Sequence, residues 1–403
     1  MREGTATRPV PFVRRVRVTN YRSIAECDVT LGPLTVLLGF NASGKSNFLD
    51  VLRFIADALE NSPGQAAARR GGLETLLHRS AEETARAFEL RLDLALRLPD
   101  VEGDVAATYG FEIGPDPTGE APLLILHEAG EIHLPSGKLL LPLNVPGRTS
   151  RLRLSATALD DDEPQAILES ALRAMRFYDL DSSVLRELDE QPSAQPYLGS
   201  AGEHLGRVLG DLAEDTLGKE RLDAYLAALV PGALGVDERR EGRYSTVQAR
   251  FQAGDGVSED VFLREELSEG TVRAAGVLAA LFQRPAFDGR IPLIGIEEPE
   301  TALHPAGVNA LYEALDDAAA RTQVIVTSQS SDLLDSEYAR IEQARAVSNV
   351  DGVSRIGMVD AAGHAIVEKG LMSLSALHRS GQMRPFEVEI EGPRRPCVIS
   401  WSA

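Results

Sequence analysis

The stretch GFNASGKS, residues 39–46, constrains the fold more than any other part of the 403-residue chain. Gly39 and Gly44 are separated by four residues, and Lys45 and Ser46 follow directly. Glycines at both ends let a short loop turn successive backbone N–H groups towards an anionic phosphate. The apolar run PLTVLLG precedes the loop, and a segment with apolar residues at helical spacing follows it. The sequence therefore predicts a strand, a phosphate-binding loop and a helix.

This loop also predicts a ligand. Lys45 is expected to reach the outer phosphates of a nucleoside triphosphate, and the Ser46 hydroxyl to occupy one position on Mg²⁺. The N-terminus of the following helix adds its partial positive charge. The alternative, a turn rich in glycine and serine that contains a lysine by chance, does not account for the strand before it and the helix after it. The residues predicted to contact the nucleotide are Gly39, Phe40, Asn41, Ala42, Ser43, Gly44, Lys45, Ser46 and Asn47.

Composition restricts the class of protein. A hydrophobic content of 43% and a charged content of 25% are ordinary for a globular protein. The net charge of −20 argues against a broad surface that coats nucleic acid, although it leaves room for a local basic groove. No stretch approaches the roughly 20 apolar residues that span a bilayer, and the N-terminus has no apolar signal region. We expect a cytoplasmic protein with no membrane partner.

The order of predicted elements indicates a divided α/β domain. Strands and helices alternate around the phosphate loop and again after residue 244, which predicts a parallel sheet with crossover helices. The stretch NSPGQAAARRGG after the first helix indicates a linker or mobile loop. Residues 88–143 contain short alternating runs separated by Gly, Pro and Asp, as in an antiparallel sheet with tight turns. Amphipathic helices are predicted next, at DDDEPQAILESALRAMRFYDL and GEHLGRVLGDLAEDTLGKERLDAYLAALVPG, and strands at YSTVQARFQAG and VFLREELS. We predict four segments. Residues 1–65 form the first half of the α/β nucleotide domain, with the phosphate loop, and residues 66–243 form an inserted lobe of antiparallel strands and then helices. Residues 244–340 form the second half of the nucleotide domain, and residues 341–403 contain C-terminal strands, a helix and a tail.

A second motif, IPLIGIEEPETALHP, supplies carboxylates at the end of a predicted buried strand. Ligands collect at the carboxyl ends of strands in open α/β sheets. We assign Glu297 to Mg²⁺ through water and Glu298 to polarising the water that attacks the phosphate. Neighbouring strand residues point in opposite directions, so the two carboxylates are not expected to share one role. The alternative is a pair of solvated charges at a strand end.

The segment ELSEG precedes the predicted helix GTVRAAGVLAALFQ. Ser268 is a candidate N-cap, and its hydroxyl together with the Gly270 N–H would make a second helix start suited to an anion. Any capped helix offers this arrangement, so the segment carries weight only through its place shortly before the double glutamate.

These motifs, in this order, resemble the RecF/SMC-like branch of ATP-binding-cassette ATPases. More narrowly, the chain is similar to the bacterial stand-alone AAA-type predicted ATPases of that branch. The motifs are a phosphate loop, then Leu-Ser-x-Gly, then Glu-Glu-Pro-Glu, then LHP; the segments NYRSI, FYDLD, TSQSSDLLD and LSALHRSGQM also match. The resemblance covers residues 13–383, nearly the whole chain.

The resemblance implies a head of the ABC type that hydrolyses ATP with Mg²⁺. Two such heads form a homodimer around ATP, so that Ser268 and Gly270 of one subunit meet the γ-phosphate held by Lys45 of the other. The family usually has a histidine in the TSxS segment that contacts this phosphate. Here the variable position of that segment is Gln329, which we assign to catalysis, and we expect slow hydrolysis. His304, in LHP, is a candidate for the dimer interface.

Two functions from different classes stay open at this stage. The first is an ATPase that acts on DNA in repair or recombination. The second is a nucleotide-gated interaction module of the phage-defence type, which controls a partner effector encoded nearby and does not bind DNA. The net charge and Gln329 favour the second, and a local basic groove would favour the first. Arg22, in NYRS, is either close to the nucleotide or an ordinary surface arginine.

Overall fold

The computed structural model describes residues 11–79, 85–141, 143, 149–155, 160–190, 197–254 and 256–386. Its strands, in chain order, are β1 (Val13–Tyr21), β2 (Ile24–Thr30), β3 (Leu34–Leu38), β4 (Phe88–Arg97), β5 (Asp104–Gly114), β6 (Leu124–Leu134), β7 (Gly137–Leu140), β8 (Arg176–Tyr178), β9 (Asp189–Glu190), β10 (Ala233–Glu241), β11 (Tyr244–Gln252), β12 (Glu259–Leu263), β13 (Leu293–Glu297), β14 (Gln323–Ser328), β15 (Ala344–Val350) and β16 (Val353–Met358). Its helices are α1 (Lys45–Glu60), α2 (Pro63–Ala68), α3 (Leu73–Leu76), α4 (Pro164–Arg173), α5 (Leu205–Ala213), α6 (Thr216–Leu229), α7 (Glu269–Phe282), α8 (Arg284–Phe287), α9 (Val308–Ala318), α10 (Ala361–Glu368) and α11 (Leu374–Arg379).

The central sheet has the strand order β16-β15-β3-β14-β13-β8. Its strands are parallel except β16, which pairs with β15 in antiparallel orientation at one edge. The sheet is covered on both faces, as parallel sheets usually are. Along β3, Leu37 packs into one hydrophobic core with α1, whereas Val36 and Leu38 pack into a second core with α7 and α9. This strand order brings the carboxyl ends of β3, β14 and β13 side by side.

The antiparallel sheet predicted for residues 88–143 is confirmed, with the order β2-β1-β4-β5-β6-β7. Its first two strands come from the N-terminal part of the chain, because β1 pairs with β4 through neighbours such as Val16 and Leu92. The sheet packs on α1 through an aromatic cluster in which Phe88 contacts Phe54 with ring centroids 5.4 Å apart. The sheet thus continues from segment 1–65 into segment 66–243, and the proposed four-segment division stays a prediction.

A third sheet, β10-β11-β12 with β9 beside β11, lies with α5 and α6 before α7, the helix that starts at ELSEG and is called the signature helix below. The helices α5, α6 and α7, and the strands β11 and β12, are where the sequence predicted them, whereas α2 lies in the stretch NSPGQAAARRGG, which the sequence indicated as a linker. Three strands were missed: β8, the two-residue β9, and β10. The sequence indicated helix through RAMRFYDL, but α4 ends at Arg173 and β8 follows; a strand of three residues is too short to show alternation. β10 begins directly after the predicted helix and carries a charged outer half.

Candidate functional site

The phosphate loop connects β3 to α1 and is held open by backbone geometry. Ala42 and Gly44 have positive φ angles of 59° and 106°, so the chain turns back sharply before the first helical residue, Lys45. The Lys45 ammonium group donates hydrogen bonds to the carbonyl oxygens of Gly39, at 2.8 Å, and Phe40, at 3.0 Å. The side chain therefore spans the loop from within.

Close approach requires a glycine at both positions, and at Gly44 the positive φ requires it as well. A Cβ atom on Gly39 would lie 2.2 Å from the carbonyl oxygen of Val347 in β15, and one on Gly44 would lie 2.0 Å from the Ser354 hydroxyl in β16. Ser354 Oγ donates to the carbonyl oxygen of Ser43 at 2.7 Å. The β15–β16 hairpin therefore supports the loop from outside.

Ser46 and Glu297 lie next to each other, although 251 positions separate them in the chain. The Ser46 hydroxyl donates to Glu297 Oε2 at 2.5 Å. Burial raises the pKa of the Glu297 carboxyl, the Ser46 hydrogen bond opposes this shift, and the charge of Asp179 adds to it. Asp179 directly follows β8, within the FYDLD segment, and the sequence analysis had given it no role. A hydroxyl and a carboxylate at this spacing are hard oxygen donors of the type that Mg²⁺ binds.

No cluster of three or more His, Cys, Asp or Glu suited to a metal occurs in the part of the chain that the structure describes. At the phosphate loop, the protein would supply one hydroxyl and one carboxylate to a cation, from Ser46 and Glu297. Water and the phosphate oxygens of a nucleotide usually complete such a coordination sphere. The donor set of Ser46 and Glu297 therefore fits Mg²⁺ in the company of a nucleotide.

Glu298 and Gln329 form a pair at the ends of two neighbouring strands. Gln329 Nε2 donates to Glu298 Oε2 at 2.9 Å. Glu298 has a φ of +43°, unusual for a residue with a side chain, and its backbone N–H donates to the Thr327 carbonyl oxygen at 3.0 Å. This left-handed conformation at the end of β13 turns the chain, so the two adjacent glutamates have different partners.

A third carboxylate, Glu300, was missed by the sequence analysis. Its Oε1 accepts a 2.5 Å hydrogen bond from the Ser328 hydroxyl, and its Oε2 is buried without a partner. Burial raises its pKa. Burial lowers the pKa of Lys45, and the charges of Glu298, Glu300 and Glu297 act in the opposite direction. The repeated acidic residues in EEPE were the available signal.

Ser268 and Gly270 occupy the start of α7. The Ser268 hydroxyl caps the helix by accepting from the Thr271 N–H at 3.1 Å. A Cβ on Gly270 would lie 2.5 Å from the Ala302 carbonyl oxygen, in the turn that follows the double glutamate. Ser268 is exposed. The hydrogen bonds described for residues 39–47 come from other elements, among them β13 and β16.

Arg22 and His304 have local structural partners. Arg22 forms a 3.0 Å ion pair with Asp50 of α1, and its guanidinium lies 3.5 Å from Asn47 Oδ1 at the helix start. His304 is exposed, and its Nδ1 accepts from the Ala306 N–H at 3.1 Å. Arg22 therefore lies beside the predicted nucleotide residue Asn47, and the interface role of His304 stays a prediction.

With this geometry established, comparison with known proteins identifies the family. A family model described as "AAA domain, putative AbiEii toxin, Type IV TA system" matches residues 34–335. The chain belongs to this AAA-domain family. No match was found among curated proteins.

Among solved structures, the fold is similar to Smc head domains. One is the Smc head bound to the C-terminal winged-helix domain of ScpA, 15% identical, covering 86% of this chain and 97% of that chain with a TM-score of 0.53. Another is the Smc head with an extended coiled coil bound to the C-terminal domain of ScpA from Pyrococcus furiosus, 14% identical, covering 90% and 100% with a TM-score of 0.54. At such identity the likeness establishes the fold alone.

The predicted fold is thus confirmed: this AAA-domain protein has a P-loop fold similar to that of Smc heads. Families of this kind generally use ATP and Mg²⁺. Among the described helices, none has the length and apolar character needed to cross a bilayer.

Proposed function

We propose that the chain binds ATP with Mg²⁺ at residues 39–47 and hydrolyses it. The observation that carries the proposal is the hydrogen bond between Ser46 and Glu297, because it joins the phosphate loop to the carboxyl end of β13. The neighbouring strand ends contribute the pair of Glu298 and Gln329. A phosphate loop combined with acidic groups at adjacent strand ends is the arrangement that phosphoryl transfer to water needs.

In this proposal each polar group has one task. Lys45 leaves the carbonyl oxygens of its own loop and binds the outer phosphates together with the loop N–H groups. Ser46 and Glu297 hold Mg²⁺, Glu297 through water. The ion, when bound, neutralises charge on the phosphate oxygens. Glu298 accepts a proton from the attacking water at Oε1, because its Oε2 is engaged by Gln329.

We further propose that two heads close around ATP. The signature residues Ser268 and Gly270 lie at the exposed start of α7, and in this arrangement they bind the terminal phosphate held by the other subunit. A capped helix start presents free N–H groups and partial positive charge to an anion. The likeness in fold to Smc heads supports this arrangement.

The first candidate for the biological role is DNA repair or recombination. The second is control of a partner effector. Arg15 is paired with Asp28, and Arg17 with Asp93, on the N-terminal sheet, so these basic side chains are already neutralised. Together with the net charge of −20, this favours the second candidate. The Smc heads solved with a ScpA domain bound show that such a fold can carry a partner protein.

Lys45→Ala tests the nucleotide site. Lys45 is the only cationic residue in the loop 39–47, so we expect the variant to lose measurable binding of a fluorescent ATP analogue. Lys369→Ala, at an exposed lysine after α10, is the matched control and should bind as the wild type does. Equal affinity in all three proteins would refute the site.

DNA binding separates the two roles. A protein that acts on DNA loses affinity steeply as salt rises, because bound phosphates release counterions. We expect no binding of duplex or single-stranded DNA by the MgATP-bound protein even at low salt. Binding with a steep salt dependence would instead support the repair role.

A further inference from the structure

A cavity of about 930 Å³ opens beside the first residues of the phosphate loop. The loop forms one wall through Gly39 and Phe40, the β15–β16 hairpin forms another through Val347, and the segment around α11 closes it with His378. The loop residues of this wall are predicted nucleotide contacts, but none of the roles assigned above involves the other walls of the cavity. The cavity nevertheless lies against the loop that is predicted to bind the outer phosphates.

His378 is the unusual group in this cavity. Its side chain is only 4% exposed, and its Nε2 atom is buried without a hydrogen-bond partner. The imidazole stacks on the Phe40 ring, with centroids 5.5 Å apart and planes 29° apart. A buried polar atom without a partner is costly in a folded protein. Its position against the loop indicates that a ligand completes its hydrogen bonding.

The helix that carries His378 is fixed to the catalytic strand ends. Ser373 caps α11 by accepting from the Ala376 N–H at 3.1 Å. Arg379 donates to the Ser331 hydroxyl at 3.0 Å and to the Asp335 carboxylate at 2.7 Å. Ser331 lies two positions after Gln329. His378 is therefore held between the start of the phosphate loop and the segment that follows β14.

The charged groups that face His378 come from several elements. Lys45 of α1 lies nearby, and Arg355 of β16, Asp360 before α10 and Arg384 after α11 line the same cavity. Burial lowers the pKa of the His378 imidazole, and the charge of Lys45 lowers it further. The phosphates of a nucleotide would act in the opposite direction, because negative charge favours the imidazolium form.

We propose that His378 binds the terminal phosphate of ATP, with Nε2 as donor, after the Phe40 ring moves aside. The Phe40 ring is 60% exposed, so its displacement breaks few contacts. The amide of Gln329 already donates to Glu298 and carries no charge. In this proposal the donor that can carry positive charge near the terminal phosphate is therefore His378 of α11. This proposal rests on the proposed ATP site and adds to it a residue that distinguishes ATP from ADP.

The test uses His378→Leu and His378→Gln in the full chain, with His364→Gln on α10 as the matched control. Affinities for MgATP and MgADP are measured by calorimetry. We expect His378→Leu to bind MgATP about 10-fold or more weakly, the loss typical of a hydrogen bond to a charged group. Its MgADP affinity should stay within about twofold of the wild-type value, because ADP has no terminal phosphate to contact. His378→Gln should lose less, because an amide also donates.

Thermal melting separates this role from a purely structural one. Without nucleotide, His378→Leu should melt at or above the wild-type temperature, because an apolar side chain replaces a buried polar atom without a partner. The increase in melting temperature caused by MgATP should shrink in the variant. A variant that melts lower but keeps the wild-type preference for MgATP over MgADP would overturn the proposal and leave His378 a packing residue.

The pH profile provides an independent readout. Because bound phosphate raises the pKa of His378 above its value in the free protein, its contribution to MgATP affinity is present at low pH and is lost as pH rises through the bound-state value. The ratio of wild-type to His378→Gln affinity should therefore fall between about pH 5.5 and 8. The ratio cancels the titration of ATP itself. A flat ratio contradicts the proposal, whereas a wild type that binds no nucleotide refutes the ATP site instead.

Discussion

At the residue scale, the arrangement around Lys45 explains why the site needs both its cation and its carboxylates. Lys45 as a whole residue is 6% exposed, and its burial alone lowers the pKa of its ammonium group. The charges of Glu297, Glu298 and Glu300 oppose that effect, and the pKa of Lys45 stays below its ordinary value. The excess of negative charge in turn favours the arrival of a cation such as Mg²⁺.

Gln329 stands where the resemblance drawn from the sequence implies a histidine, and its side chain donates to Glu298. Gln329→His offers a donor that carries charge, nearer the developing negative charge, and it should speed hydrolysis. Gln329→Ala removes the hydrogen bond to Glu298 Oε2, and we expect this variant to hydrolyse ATP more slowly than the wild type. One charge-assisted contact changes the barrier by roughly 1–3 kcal/mol, or about 5- to 150-fold in rate.

Steady-state phosphate release at saturating MgATP measures this effect for the wild type and both variants. The affinity for ATP should barely change, because Lys45 and the loop N–H groups provide most of the binding. If all three proteins turn over alike, Gln329 has no part in hydrolysis. If the wild type turns over faster than Gln329→His, Gln329 does take part in hydrolysis, but a charged donor at this position does not speed the reaction.

At the element scale, the phosphate loop depends on a hairpin more than 300 residues later in the chain. Gly39→Ala would place a Cβ atom 2.2 Å from the Val347 carbonyl oxygen, which belongs to backbone and cannot swing away. We expect a loss of about 1–3 kcal/mol in the free energy of unfolding, typical of overpacking, and weaker binding of ATP. Gly254→Ala is the control, because a Cβ there meets no atom within 4 Å.

Urea denaturation and nucleotide titration of both glycine variants check this expectation. Gly254→Ala should match the wild type in both measurements. A Gly39→Ala variant that unfolds and binds ATP as the wild type does would mean that β15 yields easily and does not support the loop.

The same elements show what could be predicted from the sequence. The run Leu293–Glu297 and the phosphate loop were predictable, because a buried parallel strand is continuously apolar and its ends are marked by glycine or charge. The strand β8 was not, because three residues show no periodicity. The contacts of Gly39 with Val347 and of Phe40 with His378 join distant parts of the chain, and no local pattern encodes them.

At the scale of the whole molecule, the two cores on either face of the central sheet fix the relative positions of the motifs. Leu293 and Ile325 belong to the core with α1, whereas Ile294 and Val326 belong to the core with α7. The signature helix α7 and the phosphate loop therefore pack on the same sheet from different sides. This packing supports the proposal that the Ser268 beside a bound nucleotide comes from a second copy of the chain.

Glu298→Gln tests this arrangement in the intact protein. The amide cannot accept the proton from water, so we expect ATP to bind and remain unhydrolysed. Retained ATP should then hold two heads together, since each nucleotide contacts the loop of one subunit and Ser268 of the other. Light scattering with MgATP should give a mass near twice 43.4 kDa, and without nucleotide a mass near 43.4 kDa.

Adding Ser268→Arg to Glu298→Gln provides the matched control for dimerisation. Ser268 is exposed at the start of α7, so the large cation should be tolerated by the fold while it blocks the approach of the second head. The double variant should bind ATP with the affinity of Glu298→Gln and stay monomeric. A monomeric Glu298→Gln protein saturated with MgATP would contradict the proposal that two heads close around ATP. A double variant that still dimerises would show that the heads meet through another surface.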